Sequence, residues 1–157
     1  YLSGERTPHN DPHIRGSFHS IKTTTDATNM QYAVIEGVSF GILDGINSIL
    51  KVNNNFEKIF MVGGGSKSSF WIKLLASLLK RKLSVCDQSE FSAALGVARL
   101  AMYVDKNIDS KNKIIKEIEI NKSYEPNLDR INLLLKRYEI WKDLYPSNKK
   151  IATNLLT

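Results

Sequence analysis

Three consecutive glycines, Gly63, Gly64 and Gly65, follow an apolar run and precede a stretch with helical spacing, in FMVGGGSKSSFW at 60–71. Glycine accepts a positive φ and lets the backbone approach a ligand without a Cβ clash. The N–H groups at the start of a helix have no partners inside the helix, and the helix dipole adds partial positive charge there. This combination favours an anion, above all a phosphate, so the segment is a candidate phosphate-binding loop.

Four polar side chains follow the glycines and could act on the same ligand. The hydroxyls of Ser66, Ser68 and Ser69 could cap the helix or donate hydrogen bonds to phosphate or ribose, and Lys67 could add positive charge. The segment is not a Walker A loop, because GxxxxGK[ST] cannot be laid over it. The residues alone leave two interpretations open, a phosphate-binding loop or only a sharp turn between a strand and a helix.

Other reactive side chains are weaker candidates. His9, Asp11 and His13 share the segment HNDPH, which could ligate a metal, but such loops commonly hold none and we predict no metal site. Glu36 lies within an apolar helical stretch and is the most interesting carboxylate. The single cysteine, Cys86, excludes an internal disulfide, and we expect it to be an unreactive thiol on a buried strand. No pair of carboxylates stands out as acid and base.

The segments around the glycines alternate between strand and helix. Apolar runs predict strands at 58–63 and 82–86, and helical spacing predicts helices at 67–81 and 89–105. Short apolar strands separated by helices indicate a parallel sheet covered by helices. The sequence therefore predicts an α/β fold, with the glycines at the end of one strand.

Further elements are expected on both sides of this region. A short strand is predicted at 16–21, a long helix at 27–50 and an amphipathic helix at 127–145, whereas the polar tail at 146–157 is expected to be loose. The long helix carries glycines four apart on one face, which is typical of close packing: Gly37, Gly41 and Gly45. The amphipathic helix is predicted to bury a stripe formed by Leu128, Ile131, Leu135, Tyr138 and Trp141.

Composition limits the possible classes of function. A chain of 157 residues with 42% hydrophobic residues suits one globular domain. The net charge of +6 could indicate nucleic-acid binding, but the lysines are scattered and concentrate after residue 106 without an aromatic–basic stripe, so we expect no nucleic acid as partner. No apolar run approaches the roughly 20 residues of a membrane span, so no membrane partner is expected. The single cysteine favours a cytoplasmic location.

Several segments, in order, resemble the FGGY family of carbohydrate kinases. RGSFHSI resembles the family's R-G-x-F-x-G-L, and AVIEGVSFGILDG resembles A-V-L-E-G-V-A-F-x-L. FMVGGGSKSSFWIKLLASLL resembles the ATP-site segment G-G-G-A-x-S-x-x-W-x-Q-x-x-A, and SAALGVARLA resembles G-A-A-L-G-A-A-x-L-A. YLSGERTPHNDP at 1–12 is similar to the members that phosphorylate D-xylulose. Small departures occur at Ser20, where the family usually has Gly, and at Ile72 and Lys73, where it has Arg and Gln.

The resemblance implies a fold and a reaction. The fold is the second domain of an actin-like, ribonuclease-H-like ATPase, so 1–157 is expected to be a partial C-terminal ATP-binding domain. The N-terminal sugar-binding domain and the opening strands are expected to lie outside the chain. The family uses ATP and Mg²⁺, and the reaction implied here transfers the γ-phosphate to the C5 hydroxyl of D-xylulose. The family's base is an Asp of the first domain, so no catalytic residue is assigned here and the isolated chain is expected to be inactive.

The resemblance also implies roles for individual residues. Gly63, Gly64 and Gly65 would line the ATP phosphates, while Ser66 and Ser69 match positions that flank the phosphate and the nucleoside. Gly96 would let its helix pack close behind the nucleotide. Glu5 and Arg6 are expected to form an ion pair that shapes the loop near the cleft; direct substrate contact is the lesser alternative.

Three other functions remain open at this point. One is another FGGY kinase, for gluconate, ribulose or glycerol. The second is a stand-alone nucleotide-binding module without catalysis, and the third is a basic nucleic-acid binder. An exposed sheet edge could pair with a second copy, which would give a homodimer.

Overall fold

The computed structural model describes residues 1–52, 57–87, 89–104, 114 and 119–155. They divide into two units. Unit 1 consists of Tyr1–Phe56 and Leu128–Thr157, and unit 2 consists of Glu57–Asn127.

Unit 1 is built from an N-terminal loop and three helices, α1 (Ala27–Leu50), α4 (Leu128–Lys142) and α5 (Leu144–Leu155). Asp26 caps α1, because its Oδ1 accepts the N–H of Asn29 at 2.7 Å. The buried apolar side chains come from the loop, α1 and α4: Ile14, Phe40, Leu43, Ile131, Leu134 and Tyr138.

Unit 2 alternates strand and helix as predicted. Its elements are β1 (Ile59–Met61), a 3-10 turn (Gly64–Lys67), α2 (Ser69–Leu79), β2 (Leu83–Cys86), a second 3-10 turn (Ser89–Phe91), α3 (Ser92–Val104) and β3 (Ile120–Tyr124). β1 and β2 pair in parallel, which confirms the expected arrangement of the first two strands.

The sheet order is β1-β2-β3. Leu83 of β2 lies between Ile59 of β1 and Tyr124 of β3, and it is fully buried. α2 contributes most of the unit's buried apolar side chains, including Ile72 and Leu75, whereas no residue of α3 is buried. The cover over the sheet in this unit is therefore mainly α2.

Several predicted elements differ from the structure. The strand predicted at 16–21 is wrong, since no strand pairs with these residues in the described part of the chain. β3 was not predicted, and it pairs antiparallel to β2. In place of the loose tail expected at 146–157, α5 continues through Leu155; residues 156 and 157 lie outside the described residues.

Packing on the two long helices of unit 1 also departs from the sequence pattern. On α4 the buried residues are Ile131, Leu134 and Tyr138, while Leu128 is 73% exposed. The glycine face of α1 is not tightly packed, because a Cβ on Gly41 would meet no atom within 4 Å.

By length and composition, α1 could also cross a membrane, and among the described helices no other passes this test. This corrects the expectation that no stretch approaches that length. The criterion is weak evidence on its own, because core helices pass it too. In unit 1, α1 buries Phe40 and Leu43, and its Glu36 pairs with Arg137 of α4.

Candidate functional site

The glycine turn connects β1 to α2. Gly63 has φ 78° and ψ −172°, a conformation that favours glycine, and Gly64–Lys67 then form the 3-10 turn. Ser68 caps α2 by accepting the N–H of Trp71 at 3.3 Å, so the helix begins at Ser69, two residues later than predicted.

The three glycines differ in what surrounds them. The positive φ of Gly63 explains why a glycine occupies this position. A Cβ on Gly65 would lie 2.5 Å from Cζ3 of Trp71, so packing inside the turn requires this glycine. Gly64 is exposed, and a Cβ there would meet no atom within 4 Å. Gly64 is therefore the glycine for which the described residues give no structural reason.

The two serines assigned to the nucleotide lie in different environments. Ser66 is buried, and its hydroxyl donates to the carbonyl of Gly63 at 2.7 Å and lies 2.7 Å from the hydroxyl of Ser89. This side chain is therefore used to shape the turn. Ser69 is exposed at the first position of α2, where a hydroxyl is accessible to a ligand.

A second turn, after β2, contacts the glycine turn. The N–H of Gly63 donates to the carbonyl of Ser89 at 2.8 Å, and Lys67 forms an ion pair with Glu90. For Ser89 and Glu90 the sequence pattern predicts only the start of the helix at 89–105. The position of this turn after β2 could have indicated a role in the site. The carboxyl ends of neighbouring parallel strands lie at the same edge of a sheet, where ligands bind in α/β folds.

Gly96 lies in α3. A Cβ on it would meet no atom within 4 Å, so nothing in the described residues packs against this position. Its role behind a nucleotide stays a prediction.

Glu5 and Arg6 belong to unit 1. The carboxylate of Glu5 accepts the N–H of His9 at 2.8 Å, and its backbone exchanges two hydrogen bonds of 2.8 Å with Asp11. The expected ion pair between Glu5 and Arg6 is not found among the described residues, and Arg6 is exposed. Glu5 thus shapes the loop through backbone groups and not through its neighbour's charge.

The HNDPH segment uses its polar groups internally. Oδ1 of Asp11 accepts the N–H of His13 at 2.9 Å, and Oδ2 accepts the hydroxyl of Tyr145 at 3.1 Å. The His13 hydrogen bond is the main reason that the pKa of Asp11 is lowered. His9 stacks on Tyr145 with ring centroids 3.6 Å apart. No group of three metal-binding side chains occurs among residues with a described placement.

Comparison with known proteins assigns the family. Residues 1–104 match the C-terminal domain of the FGGY family of carbohydrate kinases. The chain belongs to this family. FGGY kinases are phosphotransferases, and their actin-like ATPase fold is the one predicted from the sequence.

Individual FGGY kinases are similar over nearly the whole chain. The xylulose kinase of Staphylococcus epidermidis is 32% identical over 160 residues, which cover 100% of this chain and 32% of that protein. The crystal structure of a xylulose kinase from Brucella ovis has a TM-score of 0.82 and 32% identity, covering 96% of this chain and 31% of that one. A gluconate kinase from Lactobacillus acidophilus has a TM-score of 0.72 and 28% identity, covering 94% and 30%. The chain thus spans about a third of the length of these relatives.

Proposed function

We propose that this chain is the nucleotide-binding part of an FGGY kinase that transfers the γ-phosphate of ATP to the C5 hydroxyl of D-xylulose. The observation that carries the proposal is Gly64, a glycine with an ordinary φ and open space where its Cβ would be. A ligand that approaches the backbone closely would explain this glycine, and its position before the N-terminus of α2 favours an anionic ligand.

The residues of the turn fit a bound nucleotide. The backbone of Gly63, Gly64 and Gly65 and the N-terminus of α2 would hold the phosphates, and the exposed hydroxyl of Ser69 would contact phosphate or nucleoside. ATP, bound with Mg²⁺, supplies the phosphoryl group. Phosphoryl transfer depends mostly on positioning and electrostatic stabilisation, so this part contributes by orienting the donor. The base and most sugar contacts would come from a part of the protein outside this chain.

The choice of D-xylulose rests on the GERTPH segment and on the names of similar proteins. A gluconate kinase is also among the similar structures, so gluconate is a second candidate acceptor. A panel of D-xylulose, gluconate, ribulose and glycerol with the intact protein tests this choice. Phosphorylation of D-xylulose should be fastest, and a clear preference for another sugar would replace it.

Titration calorimetry with MgATP tests nucleotide binding itself. In the 157-residue chain we expect weak binding, with a Kd of about 1 mM or roughly −4 kcal/mol, and tighter binding in the intact protein. Gly64→Val should abolish binding, because its side chain would occupy the space assigned to the phosphates.

Gly41→Val is the matched control, since its Cβ also meets no atom within 4 Å but lies in α1. It should bind MgATP like the wild type. Absence of binding by the intact wild-type protein, or normal binding by Gly64→Val, would overturn the proposal.

A further inference from the structure

Ser89 joins the two turns that follow β1 and β2. Its carbonyl oxygen accepts two hydrogen bonds, from the N–H of Gly63 at 2.8 Å and from the hydroxyl of Ser92 at 2.7 Å. Its own hydroxyl lies 2.7 Å from the hydroxyl of Ser66. One residue of the second turn therefore contacts both the backbone and a side chain of the glycine turn.

The direction of these hydrogen bonds follows from the number of protons available. A serine hydroxyl carries one proton, and Ser66 donates its proton to the carbonyl of Gly63 at 2.7 Å. The hydrogen bond between the two hydroxyls must then take its proton from Ser89. The result is a chain from the Ser89 hydroxyl through the Ser66 hydroxyl to the Gly63 carbonyl.

Burial makes this chain stronger than a surface contact would be. Ser66 is 8% exposed and Ser89 is 7% exposed, so water replaces a lost partner poorly. The carbonyl of Gly63 accepts the last hydrogen bond of this series, from Ser66, while the N–H of Gly63 donates to the carbonyl of Ser89. Both backbone polar groups of Gly63, which has positive φ, are thus fixed, and Gly64 comes directly after Gly63.

We propose that Ser89 is a positioning residue for nucleotide binding. Through Ser66 and Gly63 it keeps the glycine turn in the shape that leaves Gly64 open to a phosphate. Ser89 itself touches no nucleotide, and its effect is transmitted through the turn. This inference rests on the proposed function, because it assigns Ser89 to the same phosphate site.

Ser89→Ala in the intact protein is the direct test, with Ser84→Ala as a matched control. Ser84 is equally buried, at 8% exposure, and its hydroxyl pairs with the hydroxyl of Ser123 at 3.1 Å in the same unit. Each variant loses one pairing between hydroxyls, but only Ser89 contacts the glycine turn. Because Ser123 is exposed whereas Ser66 is buried, we expect a smaller loss of stability in Ser84→Ala than in Ser89→Ala, and weaker MgATP binding only in Ser89→Ala.

The expected result is a weakening of MgATP binding by about tenfold in Ser89→Ala and none in Ser84→Ala. The KM for ATP should rise more than kcat falls, because the turn holds the donor. Ser66→Ala removes both hydrogen bonds of this series, so the double variant should bind no more weakly than Ser66→Ala alone. Ser66→Ala also provides the test if Ser89→Ala does not fold.

The outcomes separate this inference from the proposed function. If Gly64→Val abolishes MgATP binding while folded Ser89→Ala, or folded Ser66→Ala, binds normally, the positioning role is overturned and the phosphate site remains. If the intact wild-type protein does not bind MgATP, both are overturned. Additive losses in the double variant would also contradict the hydrogen-bonded chain.

Discussion

The indole ring of Trp71 lies against Gly65 so closely that a Cβ on this glycine would be 2.5 Å from Cζ3 and 3.1 Å from Cε3. The first separation is shorter than non-bonded carbon atoms reach in proteins, so the ring or the turn would have to move. Gly65 is therefore required by the packing of unit 2, whether or not a ligand binds. Gly64, its neighbour, is under no such constraint.

Gly65→Ala should lower the free energy of unfolding by about 1–3 kcal/mol, as overpacked substitutions do. Gly64→Ala should change it by no more than about 0.5 kcal/mol, because its side chain enters open space. Urea unfolding of both variants gives the comparison. Combining Gly65→Ala with Trp71→Leu should recover part of the stability that Gly65→Ala loses. Equal stability of Gly65→Ala and Gly64→Ala would show that Trp71 can move aside without cost.

Gly41→Ala should stabilise the chain by about 0.5–1 kcal/mol. Glycine in a helix interior costs this much relative to alanine, and no atom lies within 4 Å of the added Cβ. Gly37→Ala is a useful companion, since its Cβ would be in ordinary contact with Nε1 of Trp141 at 3.9 Å. Thermal unfolding measures both, and a lower Tm for Gly41→Ala would mean that the glycine face of α1 packs closely after all.

Glu36 should make the stability of unit 1 depend on pH. Its carboxylate is buried in α1 and lies 2.7 Å from Arg137, and burial raises its pKa despite the attraction of Arg137. Above the unfolded pKa of about 4.3, the folded state then retains the proton longer than the unfolded state does. The contribution of Glu36 to stability is therefore fully present below that pH and is lost as the pH rises through the folded pKa.

Glu36→Gln, which does not titrate, isolates this effect. It should match the wild type at about pH 4 and become more stable than the wild type towards pH 7, as measured by urea unfolding. Glu139→Gln serves as control for the loss of a surface carboxylate, because Glu139 pairs with Lys142 on the exposed surface, where an ion pair contributes little. If the wild type instead becomes more stable relative to Glu36→Gln as the pH rises, the attraction of Arg137 outweighs the cost of burial.

Asp11 should have the opposite dependence. The hydrogen bond from the N–H of His13 is the main cause that lowers its pKa, and the hydroxyl of Tyr145 contributes further. Stability from the ionised carboxylate is present above the unfolded pKa of about 3.9 and is lost as the pH falls through the folded pKa. Asp11→Asn should therefore be less stable than the wild type at neutral pH, with a difference that shrinks below about pH 4.

Tyr145→Phe removes one of the donors to Asp11 and keeps the ring that stacks on His9. It should show the same trend with a smaller difference, measured by thermal unfolding at a series of pH values. A difference between Asp11→Asn and wild type that does not change with pH would indicate that the shape of the amide, and not the charge, is responsible.

The sequence predicted best the elements that depend on local pattern. α1 begins at Ala27 and ends at Leu50, as expected from its apolar spacing. β3 was missed because Asn121, Lys122 and Ser123 are polar and only Tyr124 of the strand is buried. It forms a strand because it pairs with β2, more than 30 residues earlier in the chain, and no local pattern encodes that pairing.

Long-range contacts explain the error at the tail as well. The polar residues of α5 contact the N-terminal loop, where Tyr145 donates to Asp11 and Asn148 donates to Ser17. In the candidate site, the glycine turn was visible in the sequence, but Ser89 was not. Its importance comes from hydrogen bonds to Gly63 and Ser66, which exist only because β1 and β2 lie side by side.

The hydrogen bond from Gly63 to Ser89 also makes the backbone amide of Gly63 a probe of the site. This amide exchanges its proton for deuterium when the two turns separate, so its protection from exchange reports the free energy of that opening. The rate can be followed with no substrate present. It thus measures which fraction of the molecules leaves the shape needed for binding, independently of any chemistry that follows.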